Sequence, residues 1–205
     1  MNEQEAHDAL DVPRETLERL EAFERLLRTE NERQNLVSRG SLDHFWSRHV
    51  VDSAQLLRFA PDDAAEWLDL GTGAGFPGLI LAAVHPGRFT LVEGRKLRVD
   101  FLFRAAETLA LGDRVEIVGS KAEALPVRTF GVVTARAFAP LPRLLELAER
   151  FSTAKTRWIL PKGRNARSEL DEALRSWQGD FRLEPSLTDP EARIVVAEGV
   201  KRKRK

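Results

Sequence analysis

The chain has 205 residues, 42% of them apolar, with 32 basic and 32 acidic side chains and no cysteine. This length and composition suit one domain with a full core, and the lack of cysteine excludes disulfides, thiolate metal sites and a cysteine nucleophile. No apolar run is long enough to span a bilayer and the first residues are polar, so we expect a cytoplasmic protein without membrane contact.

The first sixty residues are predicted to be helical. Apolar side chains recur every three or four residues over 12–36, and Asp11 and Pro13 suit the first turn of this helix. A second helix is predicted over 41–60, before the breaker at 61–63. Residues 1–62 are therefore interpreted as an N-terminal helical cap.

Strands and helices alternate from residue 65 onward. The predicted strands are 65–70, 88–93, 114–118, 131–135 and 157–160, and the predicted helices are 77–84, 95–110, 141–151 and 165–177. Since parallel strands need crossover connections, this alternation predicts a parallel sheet covered on both faces. The expected fold class is thus α/β and Rossmann-like, over residues 63–200.

The C-terminal part breaks the alternation. Residues 181–187 and 193–197 flank a turn at 188–191, a pattern typical of a hairpin that adds an antiparallel last strand. The five residues 201–205 are all basic, which leaves 27 basic against 32 acidic side chains in the rest of the chain. Such a tail is typical of a solvated end, and it also suits a phosphate-binding arm.

A glycine-rich turn follows the first predicted strand. Gly71, Gly73, Gly75 and Gly78 lie between that strand and the apolar run 79–84. Glycines at this density let the backbone approach a nucleotide beside a helix start. Glu93 ends the next predicted strand, where an acid can take ribose hydroxyls. The pattern fits NAD and S-adenosylmethionine alike.

Three features favour the methyl donor. Asp69 and the glycines after it resemble motif I of the class I methyltransferases, and a terminal hairpin is typical of that fold. The absence of tyrosine and cysteine excludes a Tyr-Lys dehydrogenase dyad and a thiol-dependent aldehyde dehydrogenase. The alternatives are an NAD-dependent oxidoreductase on a Rossmann fold and a non-catalytic nucleotide- or RNA-binding protein.

Motifs and residues that the sequence lacks reduce the number of possible methyl acceptors. Methylation at pyrimidine C5 commonly proceeds through a cysteine adduct, and the chain has no cysteine. Methyltransferases that act on exocyclic amines usually carry an Asn/Asp-Pro-Pro-aromatic motif, and residues 134–141 do not contain it. Guanine N7 has a free lone pair and no proton to remove, so placement beside the methyl group can carry most of the reaction. A site without an evident base is compatible with that acceptor.

Several segments together resemble one family. These are Asp-Leu-Gly-Thr-Gly-Ala-Gly-Phe-Pro-Gly at 69–78, Ala-Arg-Ala-Phe-Ala at 135–139 and Leu-Pro-Lys-Gly at 160–163, with Asn-Leu at 35–36 and Arg-His-Val-Val-Asp-Ser at 48–53. They resemble the RsmG family, also called glucose-inhibited division protein B. The resemblance implies a seven-stranded, S-adenosylmethionine-dependent enzyme that methylates N7 of guanosine 527, in the 530 loop of 16S rRNA in the small ribosomal subunit.

The resemblance also implies site residues. Arg136 would lie beside the donor and the target base as the catalytic residue. The other residues implied to contact the donor are Gly71, Gly73, Gly75, Phe76, Glu93, Gly94, Arg95, Ala122 and Glu123. Those implied to contact the RNA are Asn35, Arg48, His49, Asp52, Lys162 and Arg164.

Each of these residues has a structural alternative. Arg136 could pair with Glu123 or Glu93, and Lys162 and Arg164 could be solvated surface residues. His49 and Asp52 share a helix face at a spacing of three, which is more often structural than catalytic, while Phe45 and Trp46 are expected in the core. No metal site is expected, since His44 and His49 are five residues apart and cysteine is absent.

Overall fold

The computed structural model describes residues 2–204. Its α-helices are α1 (Glu3–Asp8), α2 (Arg14–Gln34), α3 (Arg39–Leu42), α4 (Asp52–Ala54), α5 (Gly78–Val84), α6 (Lys96–Thr108), α7 (Leu141–Ala148) and α8 (Ala166–Ala173). Its strands are β1 (Glu66–Leu70), β2 (Arg88–Val92), β3 (Val115–Val118), β4 (Val132–Thr134), β5 (Arg157–Lys162), β6 (Trp177–Pro185) and β7 (Arg193–Arg202). Each predicted strand has a counterpart in the structure.

The strands form one seven-stranded sheet in the order β3-β2-β1-β4-β5-β7-β6. Strands β1 to β5 pair in parallel, whereas β7 is antiparallel to both β5 and β6. The predicted α/β class is therefore confirmed, with the hairpin at one edge. The chain moves from β1 outward to β3 and then returns to β4 on the other side of β1. Ligands bind at such a switch point, beyond the carboxyl ends of the strands.

Side chains alternate along the strands and build two apolar layers. Trp67 and Ile159 belong to the layer that includes residues of α2, α5 and α6. Their neighbours Leu68 and Trp158 belong to the layer that includes residues of α7 and α8. All four are fully buried. The sheet is thus covered on both faces, as its near-continuous apolar strands require.

The N-terminal helices share the first of these layers. On α2, Leu20, Phe23 and Leu27 are fully buried at spacings of three and four. Phe23 contacts the rings of Phe76 and Phe101, with centroids 5.7 and 6.2 Å away. The helical segment therefore packs directly on the loop after β1, and the division of the chain into residues 1–62 and 63–200 stays a prediction.

The stretch predicted to be helical over 41–60 is mostly helical, but it is not one regular α-helix. The chain passes from α3 into a π-helical turn, then α4 and then a 3₁₀ turn; the two turns are Trp46–Val51 and Gln55–Phe59. Helix α1 has no separate counterpart among the predicted helices, and its Glu3 carboxylate accepts the backbone N–H groups of Trp46 (2.8 Å) and Ser47 (3.0 Å). An acidic side chain from a distant helix thus caps the π-helical turn. Such turns are rare and occur frequently at functional sites.

The C-terminal hairpin is longer than predicted. Strand β6 begins at Trp177, which shortens α8, and β7 continues to Arg202. The Arg202 guanidinium pairs with Glu146 (3.1 Å) and lies 5.0 Å from the centroid of the Trp177 ring. Lys201 and Arg202 are exposed, as expected of a solvated end, but they belong to the last strand of the sheet. Lys205 lies outside the described residues.

Candidate functional site

Asp69, the acid of the glycine motif, holds the loop that follows β1. Its side chain is buried, with Oδ2 accepting the Gly78 N–H at 3.0 Å and Oδ1 accepting the Thr134 hydroxyl at 2.9 Å. Burial raises the pKa of Asp69, and the hydrogen bonds that the carboxylate accepts act against that rise. Asp69 thereby fastens the start of α5 to the ends of β1 and β4, which fixes the geometry of the loop.

Two of the glycines are needed for close packing. A Cβ on Gly71 would overlap the Phe138 ring, and Gly71 also has a left-handed φ of 67°. A Cβ on Gly78 would overlap Leu91 and come within 2.7 Å of the Asp69 carboxylate. Gly78 therefore lets α5 approach the sheet, and Gly71 lets Phe138 lie against the loop.

Glu93 places an ordered carboxylate at the end of β2. The side chain is 8% exposed; Oε1 accepts the Arg95 N–H at 2.8 Å, and Oε2 lies 3.6 Å from the Arg98 guanidinium. The same guanidinium is the nearest side chain to the position that a Cβ on Gly73 would take, at 3.6 Å. The glycine loop and the β2 end thus meet around Arg98. Arg98 is not among the predicted site residues, because it lies inside a helix and no sequence motif marks it.

The loops after β2 and β3 lie side by side. A Cβ on Gly94 would be 3.6 Å from Lys121 Cγ. In the turn that follows, Ala122 is buried, whereas the exposed Glu123 carboxylate lies 3.6 Å from the Arg143 guanidinium. The structure thus brings the predicted donor residues of these two loops to the same edge of the sheet, and the Glu123 side chain is paired at the surface.

Arg136, just after the end of β4, links the sheet to the N-terminal helical segment. Its guanidinium donates to the Arg48 carbonyl (3.1 Å), the Asp52 carboxylate (3.2 Å) and His49 Nδ1 (3.1 Å), and lies 5.0 Å from the centroid of the Phe76 ring. The structural alternative of a pair with Glu123 or Glu93 is therefore wrong, because Asp52 is the carboxylate partner. Burial lowers the pKa of Arg136 and the Asp52 charge opposes this. We call Arg136, Arg48, His49, Asp52 and Phe76 the Arg136 cluster.

His49 is a neutral member of this cluster. Burial, together with the charges of Arg136 and Arg48, lowers the pKa of His49 to about 3. Since Nδ1 faces a guanidinium that can only donate, the proton of the neutral ring belongs on Nε2. Within the described residues, this buried Nε2 has no hydrogen-bond partner. The ring stacks on Phe76 with centroids 4.5 Å apart, so His49 both positions Arg136 and covers the loop after β1.

Asp52 connects the cluster to the turn between β6 and β7. Its second oxygen accepts the Thr188 hydroxyl at 2.6 Å and the Gln55 amide at 2.9 Å. Gln55 in turn accepts the Leu187 N–H at 2.8 Å. No local pattern could have shown this link, since Asp52 and Thr188 are 136 residues apart in the chain.

A cavity of about 710 Å³ opens beside the Arg136 cluster. Arg48, His49, Asp52 and Arg136 line one part of it, and Phe138 lines it next to the glycine loop. Its other parts are formed by the end of β5 and by the turn between β6 and β7. The volume suits a small-molecule or single-nucleotide ligand. Phe138, which lies against Gly71, and Arg136, which lies over Phe76, are thus the residues where the cavity adjoins the glycine loop.

Lys162 lies in this cavity as half of an ion pair. Its ammonium is 2.9 Å from the Glu169 carboxylate and donates to the Ala139 carbonyl at 2.7 Å, and its side chain is only 9% exposed. The alternative of a solvated surface lysine is therefore wrong. Arg164, by contrast, is exposed and pairs with Glu191 (3.2 Å).

Asn35 does not line the cavity. It is an exposed residue that ends α2 with a left-handed φ of 44°, a conformation that asparagine tolerates well. The structure therefore gives Asn35 a local role at the end of α2.

Residues 2–204 contain neither a candidate metal site nor a helix suited to cross a membrane. No group of three or more histidine or carboxylate side chains in this range could hold a metal ion. Within the same range, none of the helices combines the length and the apolar character that a membrane crossing requires.

Comparison with known proteins identifies relatives over nearly the whole chain. A family model described as rRNA small subunit methyltransferase G matches residues 16–188. A ribosomal RNA small subunit methyltransferase G from Rhizorhabdus wittichii is 50% identical over 204 residues, covering 98% of this chain and 94% of that protein. The protein of the same name from Zymomonas mobilis is 48% identical, covering 92% of this chain and 88% of that protein. The chain therefore belongs to the rRNA small subunit methyltransferase G family.

Solved structures confirm the fold. An O-methyltransferase from Bacillus cereus in complex with SAH superposes with a TM-score of 0.62 at 16% identity, covering 96% of each chain. A glycopeptide N-methyltransferase, MtfA, in complex with S-adenosyl-L-methionine superposes with a TM-score of 0.62 at 11% identity, covering 73% of this chain and 94% of that one. The domain has the class I methyltransferase fold with an N-terminal helical extension, as predicted.

Proposed function

We propose that this chain methylates N7 of guanosine 527, in the 530 loop of 16S rRNA in the small ribosomal subunit, with S-adenosylmethionine as donor. Family membership supports a small-subunit rRNA substrate. The observation that carries the proposal is the Arg136 cluster, because it joins the glycine-loop edge of a methyltransferase fold to a cavity of nucleotide size. With this substrate, the protein is proposed to act in the cytoplasm.

The carboxyl edge of the sheet is proposed to hold the donor, which supplies a methyl group on a sulfonium. Glu93 supports this because its carboxylate is held in place by the Arg95 N–H at the strand end where acids take ribose hydroxyls. Arg98 joins the predicted set, since it lies between Glu93 and the glycine loop. The predicted contacts remain Gly71, Gly73, Gly75, Phe76, Glu93, Gly94, Arg95, Ala122, Glu123 and Arg136.

The cavity is proposed to hold the target guanine. N7 uses its lone pair to form the new bond to carbon, and the carbon–sulfur bond breaks with its electron pair left on sulfur. No proton leaves N7, so the chain needs no general base and acts by holding N7 in line with the methyl group. This fits a cavity whose histidine is held neutral and hydrogen-bonded to Arg136.

Arg136 is proposed to position groups without contacting the reacting ring. Methylation leaves positive charge on the guanine, and a guanidinium against the ring would oppose it. The Asp52 carboxylate partly offsets the charge of Arg136. His49 and the Arg48 carbonyl fix the orientation of the Arg136 guanidinium. Arg136 then lies between the donor and the target base and holds their neighbouring groups in place. The exposed Arg48 and Arg164 are proposed to contact RNA phosphates.

Transfer of a tritiated methyl group tests the proposal. Purified protein is incubated with labelled S-adenosylmethionine and small ribosomal subunits from cells that lack this protein, and the RNA is digested to nucleosides. We expect label in N7-methylguanosine, and loss of that label with Arg136→Ala. Unlabelled RNA with a protein that still binds the subunit would instead indicate a non-catalytic RNA-binding role, and unchanged transfer by Arg136→Ala would remove its assigned role.

A further inference from the structure

The Lys162–Glu169 ion pair is built into the cavity. Lys162 is implied by the family resemblance to contact RNA, but no role has been given to Glu169 or to the pair. Lys162 ends β5, and Glu169 lies in the first turn of α8. Besides their mutual contact at 2.9 Å, Lys162 donates to the Ala139 carbonyl and Glu169 accepts the Leu141 N–H at 2.7 Å. Both side chains line the cavity. The pair is thus fixed in place by backbone groups and is available to a ligand there.

A guanine N7 methyltransferase needs groups that recognise the rest of the base. Adenine carries the same N7 acceptor as guanine, so the reacting atom cannot distinguish the two purines. Selectivity has to come from O6 and from the N1–H and N2–H groups of guanine. A base extruded from RNA is commonly read along this edge.

The Lys162–Glu169 pair lies at a distance from the glycine loop that suits contact with this edge of the guanine. In the strand order, β5 lies beyond β4 and is therefore two strands away from β1 and its glycine loop. Neighbouring strands are about 4.8 Å apart, so the end of β5 lies roughly 10 Å from that of β1. A guanine whose N7 faces the glycine loop directs its N1–H and N2–H groups away from that loop, toward β5, and its O6 lies between N7 and N1–H on the rim of the ring.

We propose that Lys162 and Glu169 recognise the guanine, with the Lys162 ammonium donating to O6 and the Glu169 carboxylate accepting from N1–H and N2–H. This inference rests on the proposed function. The charge pattern of the pair complements guanine and opposes adenine, which presents a donor at position 6 and an acceptor at N1. The two side chains are already held by backbone groups, so little ordering is needed when the base enters.

RNA carrying single-atom changes in the target base tests the inference. Small subunits are reconstituted with guanosine, inosine or adenosine at the target position; inosine lacks only the N2 amino group. Initial rates of methyl transfer are measured for the wild-type protein, Glu169→Gln and Glu198→Gln. Glu198 is the matched control because it pairs with Arg157 at the opposite end of β5. Thermal unfolding and calorimetric donor binding report whether each variant is intact.

For the wild-type protein and Glu198→Gln, we expect transfer to guanosine to exceed transfer to inosine by at least about 10-fold, because a hydrogen bond to a charged group is lost. Adenosine should be slower still. Glu169→Gln should bring guanosine and inosine within about threefold of each other while donor binding is unchanged.

Two results would overturn the inference. One is equal transfer by the wild-type protein to guanosine and inosine, which needs no variant to be folded. The other is a Glu169→Gln protein that slows on both bases with their ratio preserved, which would make Glu169 a purely structural residue. If the wild-type protein transfers no methyl group to guanosine RNA, the proposed function itself fails, and that failure is distinct from either of these.

Discussion

Replacing Asp52 with alanine removes the only carboxylate that pairs with Arg136 among the described residues. The same change deprives the Thr188 hydroxyl and the Gln55 amide of an acceptor. The Arg136 guanidinium would then remain in a largely desolvated position without its counter-charge. We therefore expect both a loss of stability and a loss of Arg136 orientation.

The structure sets the size of the stability effect. Breaking a fully buried ion pair costs about 3–5 kcal/mol, and a single hydrogen bond to a charged group contributes about 1.5–3 kcal/mol. The Arg136 and Asp52 side chains are 21% and 20% exposed, so solvent offsets part of the loss. We expect Asp52→Ala to lower the free energy of unfolding by about 2–3 kcal/mol.

Urea denaturation of the full chain measures this value, and Glu191→Ala is the control. Glu191 pairs with Arg164 in an exposed pair, for which a change below about 0.5 kcal/mol is expected. A double-mutant cycle with Arg136→Ala should give a coupling of about 1–2 kcal/mol. If Asp52→Ala behaves like the control, or if the two substitutions are simply additive, the Arg136 cluster does not depend on Asp52 and the positioning argument is refuted.

Three further outcomes follow from the same geometry. Because the pKa of His49 falls to about 3 in the folded chain, the unfolded state binds the extra proton between about pH 3 and pH 6.5. Stability should therefore rise with pH across that window, and urea titrations at several pH values should show a flatter profile for His49→Gln; identical slopes would contradict the assignment. Gly71→Ala should cost at least about 1 kcal/mol through its left-handed φ and its overlap with Phe138, whereas Gly40→Ala, in a helix with open space around it, should be neutral or stabilising; thermal unfolding of the two variants compares them directly. Glu93→Gln should weaken donor binding about 10-fold or more, since a charge-assisted hydrogen bond to ribose is lost, and calorimetry showing the wild-type affinity would remove Glu93 from the donor site.

The strands of the sheet could be predicted because each is marked by a local sequence pattern. Apolar runs bounded by glycine, proline and charged residues locate β1 to β5 to within one or two residues. The glycine loop after β1 was predictable for the same reason, since four glycines in eight residues require a special backbone. The acid at the end of β2 followed from its spacing to that loop.

The parts that were missed depend on tertiary contacts. The π-helical turn at Trp46–Val51 forms where Glu3 caps it from another helix, and helix periodicity alone describes that segment as a regular α-helix. The Asp52–Thr188 bond and the Lys162–Glu169 pair join separate elements, so spacing along the chain carries no record of them. Trp177 begins β6 because it packs in the layer beside α8, although the local pattern there suits the end of a helix.

The most direct test of the account is to map modified guanosines in 16S rRNA by mass spectrometry, in cells with this protein, cells without it, and cells that carry Arg136→Ala. The account predicts a methyl group on N7 of guanosine 527 in the first cells and an unmodified guanosine at that position in the other two. A methyl group that persists when the protein is absent would contradict the proposed function.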